Sequence, residues 1–287
     1  MKIALIQMNS QPDRAANLRQ AELLLQRTLS GKPDLIVLPE HFDWTGGTAH
    51  QKRAAADRVP GGAAYELVKN FAARNQVAVH AGSLLETKPG SERIYNTSVV
   101  FDAHGNEIGV YRKIHLFDIV APDGKVYRES ETVAAGDSLL IYEIGGLRIA
   151  CCICYDLRFS RLFDRLASEN VDVFILPAAF TRQTGFDHWE VLCRARAIEF
   201  QAYVVACGQC GHYETPTGER REMHGHSMVC DPWGKVVAGI KDDVDVLFVE
   251  IDPARIATVR SLIPMAAHRV DLQGIELEVR MAQRCLR

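Results

Sequence analysis

Four apolar residues in a row, Leu35-Ile36-Val37-Leu38, run into Pro39 and Glu40. A strand with one wet face alternates apolar and polar side chains, so an unbroken run predicts a strand covered on both faces. Residues 171–180 (VDVFILPAAF) repeat the pattern, and 3–8 (IALIQM), 77–85 (VAVHAGSLL) and 202–208 (AYVVACG) read as further strands. Helical spacing fills the gaps. Residues 13–30 put Leu18, Ala21, Leu25 and Leu29 on one face and stop at Gly31, while residues 63–75 space Leu67, Val68 and Phe71 three and four apart. The pattern returns at 160–167 and 188–200. Residues 95–153 read mostly as strand, with a hairpin at Gly145-Gly146. Further on come a polar loop over 212–223, a hairpin turn at Pro232-Trp233-Gly234, a strand over 244–252, and a helix over 254–261 before an irregular tail. Buried strands with intervening helices imply an α/β fold of layered sheets with helices outside. Neither a composition shift nor an internal repeat divides the chain, which predicts one domain over 1–287.

Composition narrows the function. Hydrophobic residues make up 47% of the chain, and 33 Lys and Arg against 36 Asp and Glu give a net charge of -3. That is not the basic footprint of a nucleic-acid binder, so a small molecule is the expected partner. No segment approaches the ~18 apolar residues of a membrane span. The run at 3–8 is also too short for a signal peptide, which predicts a cytoplasmic chain with no membrane partner. Eight cysteines (Cys151, Cys152, Cys154, Cys193, Cys207, Cys210, Cys230 and Cys285) do not make a disulfide scaffold at this length. Most read as reduced core residues.

Three segments carry an ionisable group at or just beyond an apolar run, where an α/β protein places its ligand crevice. They present Glu40, then Lys113 in EIGVYRKIHLFD, then Cys154 in LRIACCICYDLRF. Alone, each has a plain reading: a surface carboxylate, half of a solvated Arg112-Lys113 pair, a core thiol. Together they form a chemical scheme. A carboxylate whose pKa is raised by burial can take the thiol proton, the sulfur can attack a carbonyl, and an ammonium can stabilise the resulting oxyanion.

The segments LPEHF (38–42), YRKIHLFD (111–118) and CYDLRF (154–159) resemble the three signatures of the nitrilase superfamily, thiol hydrolases of nonpeptide carbon–nitrogen bonds. YNTSVVFD (95–102), residues 188–211, GHSMVCDPWG (225–234) and His268-Arg269 extend the resemblance to the Nit-type amidases over nearly the whole chain, in order. The resemblance implies a four-layer αββα sandwich, a homodimer or higher homo-oligomer with the tail from about residue 253 at the interface, and no cofactor or metal. It makes Glu40 the general base, Lys113 the stabilising cation and Cys154 the nucleophile at a strand-to-helix elbow, where the positive end of a helix favours the thiolate. Glu129 supports the lysine, and the Tyr155 N–H joins the oxyanion hole. It also implies a thioester intermediate, release of ammonia, and a small carboxylate-bearing amide as substrate. Deaminated glutathione is the first choice, with α-ketoglutaramate-type ω-amides and N-carbamoyl compounds as alternatives. His115 and Arg158 are candidate substrate-binding residues, each with an equally good structural role, such as an Arg158–Asp156 ion pair. Ser160-Arg161 departs from the family's usual Pro-Glu beyond the elbow.

Two other classes compete. Cys207 and Cys210 form a C-x-x-C with His212, His224 and His226 downstream, a zinc-like set that is more simply read as core. A non-catalytic module would be expected to lose one of Glu40, Lys113 and Cys154, and all three are present. Loops 41–60, 119–129, 180–188 and 212–224 are left to shape the non-reacting part of the site.

Overall fold

The structure, a computed structural model, describes residues 1–272 and 274–280; Cys285 lies outside them. The chain opens with β1 (Lys2–Gln7), α1 (Arg14–Thr28), β2 (Leu35–Val37), α2 (Ala49–Ala55), α3 (Ala63–Asn75) and β3 (Ala78–His80). β4 (Leu84–Thr87), β5 (Ile94–Phe101) and β6 (Glu107–Arg112) follow, then a small hairpin of β7 (Asp118–Val120) and β8 (Val126–Arg128). The second half holds β9 (Ile141–Ile144), β10 (Leu147–Cys151), α4 (Ser160–Ala167), β11 (Val173–Ala178), α5 (Arg182–Phe200) and β12 (Tyr203–Gly208). A second hairpin of β13 (His212–Glu214) and β14 (Arg220–Glu222) precedes β15 (Met228–Cys230), β16 (Val236–Gly239), β17 (Asp245–Glu250), α6 (Pro253–Leu262) and α7 (Met265–His268).

Besides the two hairpins, the described residues form two large sheets, one ordered β17-β1-β2-β3-β5-β4 with β6 on β5, the other β16-β15-β12-β11-β10-β9. The unbroken apolar runs explain how they stack. Ile3, Leu5, Leu35 and Val37 point into a core shared with Ile149, Val173 and Ile175 of the second sheet. Their neighbours Ala4, Ile6, Ile36 and Leu38 point the other way, against Ala21 and Leu25 of α1 and Val68 and Phe71 of α3. On the far side Phe174 packs against Phe163 of α4 and Phe200 of α5. The layers are therefore helix, sheet, sheet, helix: a four-layer αββα sandwich. Each side chain of this kind stabilises by about 1.5–3 kcal/mol when fully buried, so a polar residue on either face would open one of the two cores.

Three expectations change. Residues 212–223 are not an open loop, because β13 and β14 pair across the turn. α5 begins at Arg182 rather than at 188, since Gly185 lets the helix press onto His224, where a Cβ would collide with the imidazole. α2 had no apolar periodicity to betray it. Thr48 and Gln51 cap it reciprocally, and Ala55 anchors it in a small cluster with Leu85, Ile94 and Val133. At the other end, α6 seats Ile256 and Val259 in its own chain's core, and Arg260 donates to the Val171 carbonyl and to Asp172.

Candidate active site

β2 ends at Val37, and the next residues carry Glu40 to the edge of both sheets. Gly82 permits this path. Its φ is +55, and a Cβ there would fall on the carbonyl oxygens of Leu38 and Pro39. Glu40 is only 1% exposed. Its Oε1 accepts from Lys113 Nζ at 3.0 Å and Asn96 Nδ2 at 2.8 Å, and its Oε2 accepts from the Ala179 N–H at 2.7 Å. Gln209 Nε2 donates to its backbone carbonyl at 2.9 Å. Burial would raise the Glu40 pKa, but Lys113 and the hydrogen bonds to the carboxylate outweigh it and hold the group at about 2.

Lys113, 2% exposed, follows directly from β6. Its Nζ also donates to Glu129, at 3.1 Å to Oε1 and 2.8 Å to Oε2. Glu129 is itself fixed by the Phe117 N–H at 2.6 Å. Burial disfavours the ammonium, yet Glu129 and Glu40 reverse that and keep its pKa well above the ordinary lysine value. Removing one member of such a buried group strands the others, at a cost of about 3–5 kcal/mol.

Cys154 opens a 3-10 turn over 154–158 beyond β10, with a φ of +48, a left-handed conformation that non-glycine residues avoid. The strained turn aims the thiol at the Glu40 carboxylate. The expected thiolate is corrected here. Burial and the nearby Glu40 charge push the Cys154 pKa well above the usual thiol value, and Lys113 only partly offsets them. A single 3-10 turn carries too little dipole to reverse that. The resting pair is thus a neutral thiol facing an ionised carboxylate. Tyr155 is the second residue of the turn, where a backbone N–H has no acceptor within the turn.

A cavity of about 390 Å³ contains Glu40, Lys113, Glu129, Cys154 and Tyr155. All four loop stretches contribute to its wall, including Trp44 and Lys52, Tyr127 and Arg128, Phe180 and Thr184, and Tyr213 and Arg221. His115 and Arg158 are not among its lining residues. His115 Nδ1 lies 2.8 Å from Asp156 Oδ1, and its ring stacks on Phe159. Arg158 reaches His188 Nδ1 at 3.1 Å and lies over the ring of Phe180, so neither substrate contact nor an Asp156 ion pair describes it. Asp156 is already occupied by Tyr111, His115 and the Ile153 N–H. Ser160 starts α4 and Arg161 is exposed, with the hydrogen bonds of Glu40 and Lys113 untouched.

The zinc-like set does not assemble. Cys207 Sγ points between the sheets, at the carbonyls of Ile6 and Val37. Among the described residues, one group has metal-ligand spacing, Glu40, His41 and Glu129, and Lys113 already neutralises its two carboxylates. Asn96 was missed from the sequence. Its signal was a run of polar residues, Asn96-Thr97-Ser98, running into the apolar Val99-Val100-Phe101 of the same strand; all three are buried, and each is bonded to a neighbour.

A Glu-Lys-Glu-Cys set in one cavity of an αββα sandwich, with Glu40, Lys113 and Cys154 buried, is the arrangement of a thiol hydrolase. Residues 2–261 match the carbon–nitrogen hydrolase family, and the chain belongs to it, within the nitrilase superfamily. It is similar to the deaminated glutathione amidase of Synechocystis sp., 38% identical over 93% of this chain and 97% of that one. It is also similar to the ω-amidase of Saccharomyces cerevisiae, 32% identical over 94% and 93%. Among solved structures, the NitFhit protein of C. elegans superposes with a TM-score of 0.85 at 34% identity, covering 93% of this chain and 64% of that chain. The chain is an enzyme that hydrolyses amide carbon–nitrogen bonds.

Proposed function

We propose that the chain hydrolyses deaminated glutathione by way of a thioester on Cys154. The observation that carries the residue roles is the Glu40 carboxylate, which meets the Lys113 ammonium at 3.0 Å and faces the Cys154 thiol within one cavity. As sulfur attacks the amide carbon, the thiol proton passes to Glu40. The oxyanion forms between Lys113 and the Tyr155 N–H. Glu40 then gives its proton to the amide nitrogen, the carbon–nitrogen bond breaks and the amine leaves. Glu40 next takes a proton from water, whose oxygen displaces sulfur to give the acid and restore the thiol.

The amide nitrogen of deaminated glutathione carries a dipeptide, so its leaving amine is cysteinylglycine and not ammonia, as first expected. A second depression of about 430 Å³ adjoins the catalytic cavity, sharing Tyr127, Thr181, Arg221 and Glu222 with it. That extra room favours a substrate with a large leaving group over a bare ω-amide. Hydrolysis of α-ketoglutaramate remains the second reading. The test is to supply deaminated glutathione, α-ketoglutaramate and an N-carbamoyl amino acid and to assay cysteinylglycine and ammonia, comparing wild type with Cys154→Ala. Release by wild type alone is expected; silence on every amide would sink the reading.

The same reading makes the chain one domain over 1–287 that works in the cytoplasm as a homodimer. Its seven described cysteines are free, as in a reducing compartment, and no helix among the described residues is long and apolar enough to cross a membrane. Phe186 and Val191 on α5, and Leu262, Val270 and Leu272 in the segment beyond 253, are exposed apolar surface for a second copy to cover. Light scattering of the purified chain tests that; a monomeric mass would overturn it.

A further inference from the structure

We infer that Lys52 recognises the substrate's carboxylate and so sets the preference for acidic amides. The cavity wall offers four cations: Lys52, Lys113, Arg128 and Arg221. Lys113 is committed to Glu40 and Glu129. Arg221 is held by Glu219 at 2.8 Å and lies over the Tyr127 ring at 4.4 Å. Arg128 is exposed at the rim, where water screens a charge and leaves it little to contribute. Lys52 alone among the four is half-buried with no carboxylate in ion-pair range among the described residues.

Its placement is fixed. The α2 backbone donates from Lys52 N to the Thr48 carbonyl at 2.9 Å, the reciprocal Thr48–Gln51 cap locks the start of the helix, and Ala55 seats the other end. Lys52 is near enough to feel the charges of Glu129, Lys113 and Glu40. Burial also pushes its own pKa down, which is the condition of an ammonium short of an anionic partner. A substrate carboxylate supplies that anion through charge-assisted hydrogen bonds. Arg158, which the sequence offered for this task, is turned to His188 and away from the cavity lining.

The inference rests on the amidase reading for its substrate, but its test does not. In a Cys154→Ala background, which cannot turn over, calorimetry gives the affinities of glutaramate and of its uncharged analogue pentanamide. Lys52→Met is expected to lower the ratio of the two affinities about 30-fold, within the range of a charge-assisted hydrogen bond, and Lys52→Arg to restore part of it. An unchanged ratio in Lys52→Met, equal weakening of both ligands, or a collapse in Arg128→Met instead would each overturn the assignment. Turnover of deaminated glutathione by wild type is measured separately. Turnover without Lys52-dependent binding removes the Lys52 role alone, and Lys52-dependent binding without turnover removes the deaminated-glutathione reading alone.

Discussion

Asn96 Nδ2 lies 2.8 Å from Glu40 Oε1, the oxygen that also receives Lys113 Nζ at 3.0 Å. Two donors therefore converge on one carboxylate oxygen while the Ala179 N–H holds the other, and the plane of the carboxylate is fixed with respect to Cys154. Asn96→Ala should free the carboxylate to tilt and weaken its anionic form. The expected result is a loss of about 10–100-fold in kcat/KM, with the acidic limb of the pH–rate profile moving upward. An unmoved limb would assign Asn96 to packing only.

The buried charges predict an asymmetry in stability. Lys113→Met leaves Glu40 and Glu129 facing each other without their shared cation, and should destabilise by about 3–5 kcal/mol in urea unfolding. Adding Glu129→Gln to that variant should recover part of the loss. Equal stability of the single and double variants would show that the charges do not interact as the 3.0 Å and 2.8 Å contacts require.

Acid should unfold the chain through two groups with the same sign. His80 is fully buried, with Nδ1 3.0 Å from the Tyr142 hydroxyl, and burial pushes its pKa from 6.5 to about 3. Between those values the unfolded chain binds a proton that the native one does not, so stability falls as pH drops through this window, by up to about 1.4 kcal/mol per pH unit. Glu40, held at about 2 against an ordinary 4.5, adds its own loss as pH falls below 4.5. Urea midpoints measured from pH 7 to pH 4 should show the His80 slope, and His80→Asn should flatten it. A slope that survives the substitution would place its origin elsewhere.

Gly82 and Gly90 both have positive φ, +55 and +69, but only Gly82 faces a crowded backbone. Gly90→Ala should cost about 1 kcal/mol, the price of a left-handed alanine. Gly82→Ala should exceed that by at least about 2 kcal/mol or fail to yield folded protein, because the Leu38-Pro39 segment that leads to Glu40 must move. Comparable stability of the two variants would contradict the close approach.

The layers were legible because apolar runs without alternation can satisfy only a strand with two covered faces, and Leu35 to Leu38 do divide between two cores. Glu40, Lys113 and Cys154 stood out as ionisable groups at or just beyond such runs, and the structure brings them together. Lys52 was hidden in a Gln-Lys-Arg stretch that reads as solvated until α2 turns one member inward. Asn96 was hidden because a single sequence does not say which strand lies beside Glu40; the pairing of β5 with β3, β4 and β6 decides it. Arg158 misled for a related reason. It ends a 3-10 turn, and its direction is set by His188, thirty positions away in the chain.

The protonated state of Cys154 bears on chemical durability. Peroxide and alkylating agents react with thiolates, and the irreversible steps of sulfur oxidation begin from that anion. A thiol that burial holds protonated should react slowly with such agents until a carbonyl is in place to accept the sulfur. The burial that makes Cys154 a weak acid should thus also slow its oxidative inactivation, through the same wall of side chains that shapes the cavity.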